Sequence, residues 1–185
     1  RIVAMYHHIY PGIRIWYESV KRQLQKDRIL TNCFGRSVRF LGAWGDNLWK
    51  SAYSMLPQST VVDSLNMGMQ NLYDDKEVSG VTGANADILA QVHDSILMQI
   101  PISFLKVREN FEWFREKIRD ETSPEMCYNG RTFKIASDFK FGMNWGEYGE
   151  KNPRGMQEFE DYDTFMKALE TWENVNVEGT LGLAH

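Results

Sequence analysis

Cysteine, long apolar runs and a leader pattern are what this sequence lacks. Only two cysteines, Cys33 and Cys127, occur in 185 residues. Two do not by themselves make a disulfide framework or a zinc site, so a reducing, intracellular compartment is expected. No apolar run approaches the roughly 20 residues of a membrane span, so no membrane partner is expected. No signal-peptide pattern opens the chain, which starts at Arg1 rather than Met and so fits a truncated, processed or partial sequence. Internal repeats and low-complexity tracts are absent as well. What is present is ordinary for a globular protein: 43% hydrophobic and 25% charged residues, enough for a domain with a core of its own.

The net charge of −4 disguises an uneven distribution. Residues 1–50 carry nine Lys/Arg against three acids, a net of +6, while residues 51–149 and 150–185 are each −5. A basic front can neutralise phosphates; the same pattern also suits a solvated helix face.

Residues 1–9 read as the end of a helix interrupted at Tyr10-Pro11-Gly12. A second helix to about residue 28 carries Ile13, Trp16, Tyr17, Val20 and Leu24 on one face. Residues 29–32 and 37–41 read as short strands around a turn containing Gly35, and residues 42–45 as a linker. A short helix is expected over 46–55 and a separate one from Pro57 to about 73, with Val61, Leu65 and Leu72 inward. Residues 74–85 read as a polar loop. A helix over 104–120 has Ser103 as candidate N-cap and Val107, Phe111, Phe114 and Ile118 inward. Residues 131–136 read as a strand and 139–145 as an extended or turning segment. An acidic amphipathic helix over 157–173 carries Phe159, Tyr162, Phe165, Leu169 and Trp172. Helices mixed with antiparallel hairpins give an α+β class.

The sharpest local feature is a pair of apolar strand candidates, residues 87–92 and 95–100, separated only by His93-Asp94. That is hairpin spacing. An aspartate fixed at a tight turn stays reachable, as a hard divalent cation requires of an oxygen ligand. An aspartate also favours turns for purely local reasons, so spacing alone leaves both readings open.

Val92-His93-Asp94-Ser95 resembles motif C of family A (DNA polymerase I-like) DNA polymerases, usually Val-His-Asp-Glu on a palm hairpin. Further blocks are similar in the same order. Tyr6-His7-His8-Ile9-Tyr10-Pro11-Gly12-Ile13 resembles the segment after the family's nucleotide-binding finger helix. Thr31 through Gly35-Arg36-Ser37 resembles its Thr…Gly-Arg-Arg hairpin. Ser54 through Asp63 is similar to its Asn-x-Pro-x-Gln-Gly-Thr-Ala-Ala-Asp helix start. Residues 133–145 look like its closing strand and Gly-x-x-Trp ending. The resemblance covers about residues 3–148 and implies a partial polymerase palm over residues 1–150, followed by an acidic helical extension, residues 151–185. That extension either docks a replication partner or packs its aromatic stripe back on the palm.

Carried over residue by residue, the resemblance makes Asp94 a ligand of two catalytic Mg2+ ions and sets His93 beside the primer 3′ end. Gln58 becomes a minor-groove contact near the terminal base pair. Lys50 stands where the family has an arginine on the same helix, Ser54 replaces an asparagine, and Arg36 is either structural or near DNA. Gln58 as a helix-start residue and His93 as a packed turn residue are the local alternatives. His7 and His8 read as surface or packing residues, and His185 as a mobile end. Minor-groove acceptors are shared by all correct pairs, so donors such as Gln58 and Lys50 would give sequence-tolerant contact.

Two departures qualify this. Ser95 replaces the usual glutamate and supplies no carboxylate. The family's first metal aspartate, and the lysine and tyrosine that grip the incoming nucleotide, are expected upstream of this chain or on a partner chain. The resemblance therefore implies template-directed DNA synthesis on a primer-template with deoxynucleoside triphosphates, incomplete in this chain alone. The alternative is a non-catalytic DNA-binding or assembly module with the same fold; a lone-aspartate nuclease is weaker still. The compact palm suggests a phage-type enzyme working in the cytoplasm of a cell or viral host, with bacterial and organellar sources left open.

Overall fold

The computed structural model describes residues 2–181, with side chains through residue 174; Arg1 and His185 lie outside the described residues. In chain order the elements are α1 (Ile2–Ile9), α2 (Pro11–Asp27), β1 (Ile29–Thr31), β2 (Ser37–Arg39), α3 (Asp46–Asp74), α4 (Lys76–Ser79), β3 (Asp87–Val92), β4 (Ser95–Gln99), α5 (Ile102–Leu105), α6 (Arg108–Thr122), β5 (Met126–Tyr128), β6 (Arg131–Phe133) and α7 (Tyr162–Leu181). The class is α+β: seven helices with three antiparallel two-stranded hairpins, β1–β2, β3–β4 and β5–β6, among the described residues. Packing separates two compact units, Arg1–Asn66 with Glu125–Lys134, and Met67–Pro124 with Ile135–His185.

In the first unit, Pro11 supplies the fixed φ of a helix start, and α2 ends where Arg28 turns left-handed (φ 58°) with its N–H bonded to the Leu24 carbonyl. Val20 and Leu24 bury one stripe of α2 against Leu30 and against Leu48, Ala52 and Leu56 of α3. The turn between β1 and β2 is built on Asn32, a buried residue whose side-chain oxygen accepts from the backbone N–H of Phe34 and of Arg36, both at 3.0 Å.

The expected break at Pro57 is absent, and α3 runs unbroken for 29 residues. Proline removes one backbone bond, the one its N–H would have made to the Tyr53 carbonyl. Its ring is exposed, and buried Ala52, Leu56 and Thr60 lie on one face on both sides of it. Tertiary burial along that face holds the two halves in line against the local signal. Val61, expected inward, is only half-buried, whereas Leu65 and Leu72 are buried. The hairpin β5–β6 turns on Asn129 (φ 51°) and Gly130 (φ 74°), the Asn-Gly pair that a two-residue turn with two positive φ angles favours. The strand expected over 131–136 therefore ends at Phe133, and its partner β5 was not anticipated.

The second unit centres on Phe111, Phe114 and Ile118 of α6 and Phe165, Leu169 and Trp172 of α7, with Leu72, Val78 and Leu105. Phe111 and Phe165 stack at 4.8 Å between ring centroids. Residues 74–85 contain the short helix α4, capped by Asp75, whose carboxylate accepts from the Glu77 N–H at 2.8 Å. The single helix expected over 104–120 is instead α5 and α6, broken at Lys106–Val107. Side chains satisfy the carbonyls freed there: Asn110 donates to Phe104 O at 3.2 Å, and the Tyr162 hydroxyl donates to Lys106 O. Val107, expected inward, is 46% exposed, and Ser103 caps neither helix. The acidic helix starts at Tyr162 rather than 157, because the Asp161 carboxylate accepts from the Thr164 N–H at 2.8 Å and so caps it. Phe159 packs on the core from the preceding loop.

Candidate functional site

Strand β3 alternates exposed Asp87, Leu89 and Gln91 with half-buried Ile88, Ala90 and Val92. One face thus packs on the second unit's core while the other faces water. A register shift between Ile88 and Ala90 leaves exposed Leu89 unpaired, and such a bulge bends and twists the strand. At the far end Val92 pairs with Ser95, so His93 and Asp94 are the only central turn residues. His93 takes φ 55°, the positive φ that tight hairpin turns require at their first central position. Ser95 closes the turn by donating its hydroxyl to the Val92 carbonyl at 2.8 Å. The residue that breaks the Val-His-Asp-Glu pattern is thus a clasp for the hairpin. The side chain of Asp94 is exposed at the tip.

A second carboxylate does not join it there. Asp87 lies at the other end of β3, roughly 20 Å away at the rise of an extended strand, and Asp63 is engaged elsewhere. Among the described residues no group of three or more His, Cys, Asp or Glu side chains is arranged to hold a metal ion. Asp94 by itself does not fit a magnesium site, since a lone exposed carboxylate is too weak a donor set.

In the first unit, Lys50, Ser54 and Gln58 recur every fourth residue of α3 and are all exposed. Fourth-residue spacing makes them one ridge along the helix, about 12 Å long. The row Leu48, Ala52, Leu56 and Thr60, on the opposite side of the helix, is buried. Three residues singled out in the sequence therefore share one polar ridge. Ser54 donates its hydroxyl to the Lys50 carbonyl at 3.0 Å, leaving it an acceptor towards any outside ligand.

Arg36 is differently placed. Its guanidinium grips the Asp63 carboxylate of α3, with Nε at 2.8 Å from Oδ2 and Nη2 at 2.5 Å from Oδ1. Asn32 adds a bond to the same carboxylate at 2.7 Å and one to Ser59 at 3.0 Å. The guanidinium, outweighing the effect of burial and helped by Asn32, holds the Asp63 carboxyl below its ordinary value, and the Arg36 pKa is raised in turn. This three-residue tie fastens the β1–β2 turn to α3. Sequence reasoning missed Asn32 and Asp63 as its members, because 27 to 31 residues separate the partners and nothing local marks the pairing.

His7 is half-buried, with its ring edge-on to Tyr6 and Tyr17 at 5.5 and 6.4 Å, and His8 is exposed. Among the described residues no helix is long and apolar enough to cross a membrane. Comparison with protein-family models, curated proteins and solved structures gives no match to this chain.

Proposed function

We propose that this chain is the C-terminal palm and fingers segment of a family A DNA polymerase, contributing Asp94 to a divalent-metal site that synthesises DNA on a primer-template. The observation that supports this furthest is the turn itself. Val92-His93-Asp94-Ser95 carries its aspartate exposed at the tip of a two-residue hairpin, as the resemblance requires of a metal ligand. The ridge of Lys50, Ser54 and Gln58 adds support, since a cation and neutral polar groups in one exposed row suit contact with a duplex backbone and minor groove. His93, beside the metal ligand, is assigned to the neighbourhood of the primer end. Arg36 takes the structural of its two roles, because its fork is already filled by Asp63.

Phosphoryl transfer depends chiefly on positioning and charge neutralisation. Bound Mg2+ would supply the charge that activates the primer hydroxyl and steadies the leaving pyrophosphate. One carboxylate does not suffice for that, so the second, with the groups that grip the incoming deoxynucleoside triphosphate, comes from an upstream segment or a partner chain. The site of action on this reading is intracellular. Primer extension by this chain mixed with a polypeptide carrying the upstream polymerase motifs tests the proposal: extension is expected only when both are present. Extension by the other polypeptide at the same rate without this chain would count against it.

A further inference from the structure

A cavity of about 110 Å³ in the second unit is lined by Arg115 and Arg119 of α6 and by Ser137, Asp138, Phe139, Glu158 and Phe159. We propose that this cavity binds a small phosphate-type oxyanion, a site separate from the Asp94 turn and independent of the polymerase reading.

The argument starts with the two guanidiniums. Arginine stays charged at any physiological pH and offers five N–H donors in a fixed fork. Arg115 gives one Nη1 bond, to the Glu160 carbonyl at 3.1 Å, while its Nε is buried with no acceptor among the described residues. Neither arginine forms an ion pair with any carboxylate among the described residues, whereas Arg36 and Arg108 do. Each is held by an aromatic ring instead: Arg115 lies over Phe111 at 5.4 Å and Arg119 over Phe139 at 5.9 Å. Rings fix a guanidinium's plane without using its N–H groups, leaving the donors for a ligand.

The wall is rigid. Thr122 donates its hydroxyl to the Ile118 carbonyl at 2.8 Å, so Ser137 donates to Thr122 at 2.7 Å, and Ser123 in turn donates to Ser137 at 3.0 Å. This chain of hydroxyls ties Ser137 to the end of α6. Asp138 and Glu158 also line the cavity, so a ligand there meets two cations and two carboxylates. A phosphate that keeps one proton suits both, accepting from the arginines and donating to a carboxylate. A phosphodiester has no such proton. The volume admits a group well beyond a single water.

Titration with inorganic phosphate, followed through the arginine Nε–H NMR signals with chloride at matched ionic strength as the control, tests the site. Saturable binding in the millimolar range with a shifted Arg115 signal is expected. Arg119→Gln, at an exposed position, should weaken it about tenfold without lowering Tm, and Arg115→Lys, which keeps charge but loses the fork, should weaken it similarly. A parallel arm adds a primer-template duplex. Phosphate left in place by the duplex is the expected result, and displacement by the duplex, whose phosphodiesters carry no proton for the carboxylates, overturns the assignment to a small phosphate. Absence of saturation, or equal binding by both variants and the unaltered chain, overturns the proposal.

Discussion

Asp94 is exposed because its neighbours carry the structural work of the turn. Val92 and Ser95 close the register, the Ser95 hydroxyl clasps the Val92 carbonyl, and His93 absorbs the positive φ. Asp94→Asn should therefore leave Tm unchanged within a degree or two, checked by thermal denaturation, because an exposed side chain away from packing contributes little to stability. Asn32 is the opposite case. It is buried and joins two backbone donors, Ser59 and Asp63, so Asn32→Ala should destabilise by about 2–3 kcal/mol in urea unfolding. Asp63 adds a pH signature. Its carboxyl holds a proton less tightly in the folded chain than in the unfolded one. The stabilisation is thus complete above the ordinary carboxylate value of about 4 and is lost as pH falls through the lower folded value. Asp63→Asn should be less stable at neutral pH and should lack this part of the acid loss in unfolding curves measured between neutral and acid pH.

The elements differ in how plainly the sequence announced them. The β3–β4 hairpin was legible because two apolar runs flank a two-residue gap, and α2 because Val20 and Leu24 sit on one periodic face. Misreadings arose where distant partners overrode local signals. Pro57 looked like a boundary, yet burial of Ala52, Leu56 and Thr60 carries α3 through it. The α5–α6 break had no glycine or proline to mark it, since Asn110 and Tyr162 stabilise it from elsewhere. The β5–β6 turn carries a local signal in Asn129-Gly130, both at positive φ. Gly68 shows what such packing demands. A Cβ there would stand 2.4 Å from the Glu121 backbone oxygen, so α3 and α6 approach more closely than any side chain permits. Gly68→Ala should cost about 1–3 kcal/mol, read by chemical denaturation, despite alanine's better helix propensity.

For the whole molecule, the distribution of charge along the chain marks a basic front and an acidic remainder, and the mixture of helical faces with hairpin spacing gives the α+β class. The order of the resembling blocks carried the functional reading. Which residues share a ridge, and which arginine is tied down, required coordinates. If the exposed ridge meets DNA as proposed, Lys50→Ala in the assembled protein should weaken primer-template binding and lower the salt slope by about one, measured by fluorescence anisotropy across salt concentrations. Single-nucleotide incorporation by the assembled protein against magnesium concentration, with Asp94→Asn beside the unaltered chain, bears most directly on the proposed metal-ligand role. The expected result is equal binding of primer-template and a loss of incorporation on the order of a thousandfold, as removal of a metal-holding charge implies. Incorporation at the unaltered rate by Asp94→Asn would contradict it.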